Sequence, residues 1–200
     1  MDIINRVKNI VITPKTEWVI IDSERLPSVK LLTSYLLLLA LIPAVCQFIG
    51  QGFVGTTVLG FKVGGTIDLG VRAAITSYLM MVGGVYLTAL IINLLATSFG
   101  SEQNFDQVFA LVVYSYTPMF LAGVFYLLPA LGILATLAGL YGLYILFIGI
   151  QPMMKTPEDK VVVYFIISIV CLIVVWMVLG AILAMIMAAL FFTGEASLLR

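Results

Sequence analysis

The side chains able to do chemistry within the long apolar stretches of this chain are few and uncharged: Gln47, Asn93, Tyr114, Tyr116, Tyr141, Tyr144 and Gln151. Amides and phenols donate and accept hydrogen bonds, but at neutral pH they neither shuttle protons nor hold a metal ion. Away from their ends the five apolar runs contain no Asp, Glu, Lys or Arg, which argues against proton- or ion-coupled transport, whose carriers need an ionisable group near the bilayer midplane. The chain has no histidine, so the commonest general base, proton relay and metal ligand are all missing. A membrane serine hydrolase would want a base beside its serine, and an aspartyl type would want two carboxylates within spans. Neither pattern is present, nor is a phosphate-binding loop, a metal-ligand spacing or a nucleotide fingerprint. Cys46 and Cys171 lie far apart in apolar runs without a CxxC spacing and read as buried structural thiols. The expectation is therefore a non-enzyme with no catalytic, cofactor or metal residues. Two roles stay open for Asn93, Tyr114, Tyr116, Tyr141, Tyr144 and Gln151. They bridge helices, at about 0.6 kcal/mol per hydrogen bond in lipid, or they line a cleft for an amphiphile such as a lipid headgroup or an isoprenoid.

Composition sets the medium in which these groups act. Hydrophobic residues make up 62% of the chain and charged ones 10%, with a mean hydropathy of +1.19, whereas a soluble domain carries about 25% charged residues. The chain is expected to be an integral membrane protein. Its ten cations balance its ten anions, so net charge points to no nucleic acid.

The element that must position the polar groups is the stretch from Gly132 to Met154. Small residues recur there at Gly132, Ala135, Gly139, Gly142 and Gly149, a three-and-four spacing that lies along one seam of a helix. In lipid such a seam lets neighbouring backbones approach closely and gain dispersion contact. Tyr141 and Tyr144, three residues apart, share a side of this helix away from the seam.

The remaining elements follow in order. Residues 1–27 form a polar leader in which Ile3, Ile4, Val7, Ile10 and Val11 take helical spacing and Asn5, Arg6, Lys8 and Asn9 cover the other side, the pattern of a short helix lying in the interface. Thr13 and Pro14 read as a cap and first turn of a second helix, with Trp18 at headgroup level. The leader lacks the apolar core and cleavage site of a signal peptide. Residues 28–200 form an all-α domain of five spans, at about 31–50, 71–99, 105–127, 130–151 and 160–192. Between the first two lies a glycine- and threonine-rich loop, with a small hairpin about Gly60 and Asp68 as a helix cap. Asn104 to Gln107 and Thr156 to Asp159 have the form of capping boxes. The fifth helix exceeds the length needed to cross, so a break near Gly180 or a projecting end is expected. Arg6, Lys8, Lys15, Arg25, Lys30, Lys155 and Lys160 fall on one side of the spans and Lys62, Arg72 and Arg200 on the other, which puts the N-terminus in the cytoplasm.

Three segments, Pro14-Lys15-Thr16-Glu17-Trp18, Tyr114-Ser115-Tyr116-Thr117-Pro118 and the run from Tyr141-Gly142-Leu143-Tyr144 through Gly149 to Met154-Lys155-Thr156-Pro157, together resemble the Yip family of five-span membrane proteins. The resemblance covers nearly the whole chain. It implies five helices with a cytoplasmic N-terminus; eukaryotic members are associated with Rab-type GTPases and vesicle traffic. The long leader and the Asp-Leu-Tyr-Gly-Pro motif of those members are missing, so the chain resembles the compact prokaryotic type, which implies residence in the cytoplasmic membrane. The expected function is that of a non-enzymatic scaffold or membrane-organising protein that contacts membrane lipids, self-associates through the small-residue seam and docks a cytoplasmic protein partner on its charged helix ends. The alternative is a passive conduit or lipid-handling protein with a tyrosine-lined cavity.

Overall fold

The computed structural model describes residues 2–58 and 61–198. Two short helices come first, α1 (Ile3–Ile12) and α2 (Pro14–Glu24). Asp2 caps α1 by accepting from the Ile4 and Asn5 amides. Pro14 supplies the first turn of α2, but the Thr13 hydroxyl donates back to the Asn9 carbonyl and does not cap it. Four helices long and apolar enough to cross a membrane follow: α3 (Ser28–Val54), α4 (Ile67–Phe99), α5 (Phe105–Leu127) and α6 (Gly132–Met154). The last helix, α7 (Glu158–Leu198), has 41 residues and runs unbroken through position 180. At ~1.5 Å per residue it reaches about 60 Å, twice the thickness of a bilayer's hydrocarbon core.

Among the described residues the regular structure is helical apart from one hairpin between α3 and α4. Its strands, β1 (Thr56–Val58) and β2 (Phe61–Val63), pair antiparallel with Thr57 opposite Lys62. The all-α expectation holds for the bundle, and the small hairpin expected in this loop is present; Gly60, about which its turn was expected, lies outside the described residues. Asp68 departs from expectation. Thr66 caps α4 by accepting from the Leu69 amide, and Asp68 pairs with Arg72 one turn on, at 2.9 Å.

Helix α5 is not one regular rod. It steps at Tyr116, between α-helical pieces Phe105–Ser115 and Thr117–Ala122, where Pro118 lacks an amide to continue the ladder. Its second piece is held close to α3: a Cβ on Gly123 would stand 2.7 Å from the Pro43 Cβ, so only glycine allows that crossing. The connections gather at two ends. At one, the Ser28 amide donates to Asp106 at 2.9 Å, the Gln107 amide to Asp22, the Glu102 backbone N–H to the Met154 carbonyl, and Lys155 pairs with Glu102 at 2.7 Å. At the other lie the hairpin and the close approach of Gly70 to Gly52.

Candidate functional site

The notched helix α6 sits against α5 and α2. A Cβ on Gly142 would come within 2.6 Å of the Ser115 carbonyl oxygen, and one on Gly149 within 2.5 Å of Leu111 Cδ1 and 2.6 Å of Trp18 Cε2. Ala135 is fully buried, and Gly132 faces the Tyr126 ring. Gly139 differs, because a Cβ there would find only the Met119 sulfur, at an ordinary 3.9 Å. The seam is thus occupied by this same chain over Gly142 and Gly149 and left loose at Gly139.

The leader fills the tight half. Trp18, expected at headgroup level, has no exposed surface and donates its indole N–H to the Ile145 carbonyl at 3.2 Å. Its ring meets Tyr114 edge-on at 6.4 Å, and Tyr114 meets Tyr35 at 4.9 Å. The Tyr35 hydroxyl reaches the Thr117 hydroxyl at 2.8 Å. Arg6, expected on a solvated face, is 6% exposed, ion-paired to both Glu17 and Glu24, and placed 5.7 Å above the Tyr114 ring. A buried guanidinium is tolerable only when paired. Helical periodicity grouped Arg6 with Asn5 and Lys8 because it counts polarity and not partners. The signal that locates it is Glu17 and Glu24, seven residues apart and therefore on one face of α2.

The six candidate cavity residues do not converge. Tyr114 lies in the aromatic cluster just described. Tyr141 donates to the Val11 carbonyl at 2.7 Å and stacks on Tyr144 at 5.8 Å, Tyr144 being half exposed. Gln151 donates to Glu158 at 3.3 Å on the surface. Asn93 holds a buried carboxamide oxygen without a partner while its backbone carbonyl accepts from Gln103. Tyr141 and Tyr144 together border a cavity of about 330 Å³ beside Lys15, and Gln151 borders one of about 480 Å³; Tyr116, whose hydroxyl meets that of Thr88 at 3.1 Å, borders a larger groove elsewhere. That groove, of about 670 Å³, lies between α3, α4 and the second half of α5. Its rim carries Gln47, Gln51, Arg72 and Thr76, and its floor Met81, Gly84 and Met119.

A sequence reading that isolates uncharged polar residues within spans passes over this groove, since Gln51 and Arg72 read as loop and helix end. The available signal is a gradient along one face of α4: Arg72, Thr76 and Met80, each four residues apart, run from charged through hydroxyl to thioether. Such a face is polar at one end and greasy at the other. Among the described residues, no three His, Cys, Asp or Glu side chains come together to hold a metal.

A bundle of long apolar helices, closed at one end by a folded leader and grooved at the other, is the plan of a polytopic membrane protein. The chain belongs to the Yip family: residues 8–180 match the Yip1 domain. It is similar to the inner membrane protein YohC of Escherichia coli strain K12, with 27% identity over 156 residues covering 74% of this chain and 77% of the relative, and to the same-named protein of Escherichia coli O6:H1 with the same figures. No solved structure matches it. Membership of the family and four membrane-capable helices make this an integral membrane protein.

Proposed function

We propose that this protein is a non-enzymatic, five-span member of the Yip family that organises its membrane by binding a phospholipid-like amphiphile in the groove between α3, α4 and α5. The observation that carries the reading is the polarity gradient of that groove. Gln47, Gln51, Thr76 and the Arg72–Asp68 pair offer hydrogen bonds and both signs of charge to a headgroup, and Met81 and Met119 offer soft apolar surface to its tail. A volume of about 670 Å³ falls inside the ~300–1,000 Å³ range of ligand sites.

In this reading α7 is the fifth span, the leader and the Lys155 end face the cytoplasm, and the groove opens toward the outer leaflet of a cytoplasmic membrane. The cation distribution supports that orientation. Cysteines placed at Lys8 and Lys62 test it, with Lys62→Cys expected to label from outside and Lys8→Cys only after permeabilisation. A partner from the cytoplasm meets the end where Lys155 and Glu102 pair. Self-association through the seam has less support, because Ser115, Leu111 and Trp18 of the same chain already cover it.

The groove is tested by native mass spectrometry of the protein extracted in mild detergent. The wild type should retain phospholipid, and Thr76→Trp, a substitution at the exposed rim, should lose most of it at unchanged elution volume. Equal retention by the two would overturn the reading.

A further inference from the structure

Behind the groove, on the far side of α5, lies a second cavity of about 190 Å³ bounded by Ser115, Gly139, Gly142 and Leu143. Tyr116 and Met119 border both spaces, so a wall of two side chains divides them. Their abilities to move differ. The Tyr116 hydroxyl is held by Thr88, whose own hydroxyl is tied to the Gly84 carbonyl at 2.6 Å. Met119 is unbranched with three rotatable bonds, and its sulfur rests 3.9 Å from where a Cβ on Gly139 would stand. Tyr116 is the fixed half of the wall and Met119 the movable half.

The smaller space is below the ~300 Å³ at which a cavity serves as a ligand site by itself. It is nevertheless larger than the ~150 Å³ aliphatic cavity that stays dry and takes up benzene. Both hydroxyls on its lining residues are engaged, that of Ser115 with the Leu111 carbonyl at 2.7 Å and that of Tyr116 with Thr88 at 3.1 Å, so an apolar guest meets no unpaired donor there. Gly139 keeps the space open at a seam position where helix packing itself does not demand glycine, unlike Gly142.

We infer that this cavity is the tail subsite of the groove: the hydrocarbon chain of the bound amphiphile passes Met119 and ends beneath Gly139, so that the site selects acyl length. The inference rests on the amphiphile reading of the groove. Its occupant is a hydrocarbon tail and not a separate small molecule, because the only polar rim belongs to the larger space.

The test is competition between didodecanoyl and dihexadecanoyl phosphatidylethanolamine on the purified full-length protein, read as the ratio of the two bound species by native mass spectrometry. Wild type should retain more of the longer lipid than of the shorter, because only the longer chain passes Met119 to fill the space beneath Gly139. Gly139→Leu fills the cavity and should bring that ratio to about one; Leu143→Ala enlarges it and should raise the ratio, which decides the matter even where the leucine variant fails to fold. A wild type that retains neither lipid overturns the groove reading itself. A wild type that binds both equally, or variants that leave the preference where it was, overturn the tail subsite and leave the groove standing.

Discussion

The two halves of the notched helix α6 solve different problems with the same residue. Near Lys155, Gly149 is pressed by Trp18 and Leu111, and around it Arg6, Glu17, Glu24, Tyr114 and Tyr35 form a dense, paired cluster. Toward the hairpin end, Gly139 touches almost nothing and adjoins open space. Glycine in the first half lets the leader in; in the second it leaves room. A small-residue seam is therefore not one device but two, and only neighbours from other elements tell them apart.

Removing the leader's anchor is the harshest test of the closed half. Trp18→Ala deletes a fully buried indole and its bond to Ile145, which should cost about 3–5 kcal/mol. Loss of monomeric protein on size exclusion, or a steep fall in Tm, checks it; a variant as stable as wild type would mean that the leader is not part of the core. Arg6→Met comes next. It leaves Glu17, 3% exposed, without its cation, and breaking a buried pair from one side costs about 3–5 kcal/mol when nothing else compensates. The Tm of the variant should fall accordingly, and a variant as stable as wild type would contradict the buried pair. Glu24→Gln, at a side chain one-third exposed, should cost far less than Glu17→Gln, and equal losses would contradict the gradient of burial.

The two glycines give the direct comparison. Gly142→Leu drives a side chain into the Ser115 carbonyl and should destabilise by at least the ~1–3 kcal/mol of an overpacked core. Gly139→Leu meets only Met119 and should melt within about 1 kcal/mol of wild type, filling space that a packed core would not have left. If the two variants melt alike, the halves of the seam are not distinct.

Much of the helical plan is readable from residue order alone. Apolar runs, Asn104 accepting from the Asp106 and Gln107 amides, and Pro129 at the turn between α5 and α6 all act locally, and local rules carry them. The small-residue spacing likewise identifies the helix others pack against. What escapes is whatever depends on a partner from another element. Arg6 reads as solvated until Glu17 and Glu24 are brought beside it, and Trp18 reads as interfacial until Gly149 opens a slot for it. The groove as a whole escapes for the same reason: the face of α4 from Arg72 to Met80 is periodic, but Gln47 and Met119 come from two other helices and no periodicity links them to it.

The mildest change probes where the leader meets α6. Tyr141 donates to the Val11 carbonyl at 2.7 Å, one bond joining the end of α1 to the notched helix. Tyr141→Phe keeps the ring and its stacking on Tyr144, so only the hydroxyl is lost. Within a membrane such a bond is worth about 0.6 kcal/mol, and the Tm should fall by no more than a degree or two for a chain of this size. Hydrogen exchange is the sharper readout, because a tie at one end of a short helix governs local opening more than global unfolding. The Ile10–Ile12 amides should exchange faster in the variant while those of α6 stay as they were. Faster exchange throughout α6 would instead mean that the leader and the notched helix open as a single unit, and that the closed half of the molecule extends further along α6 than Gly149 alone requires.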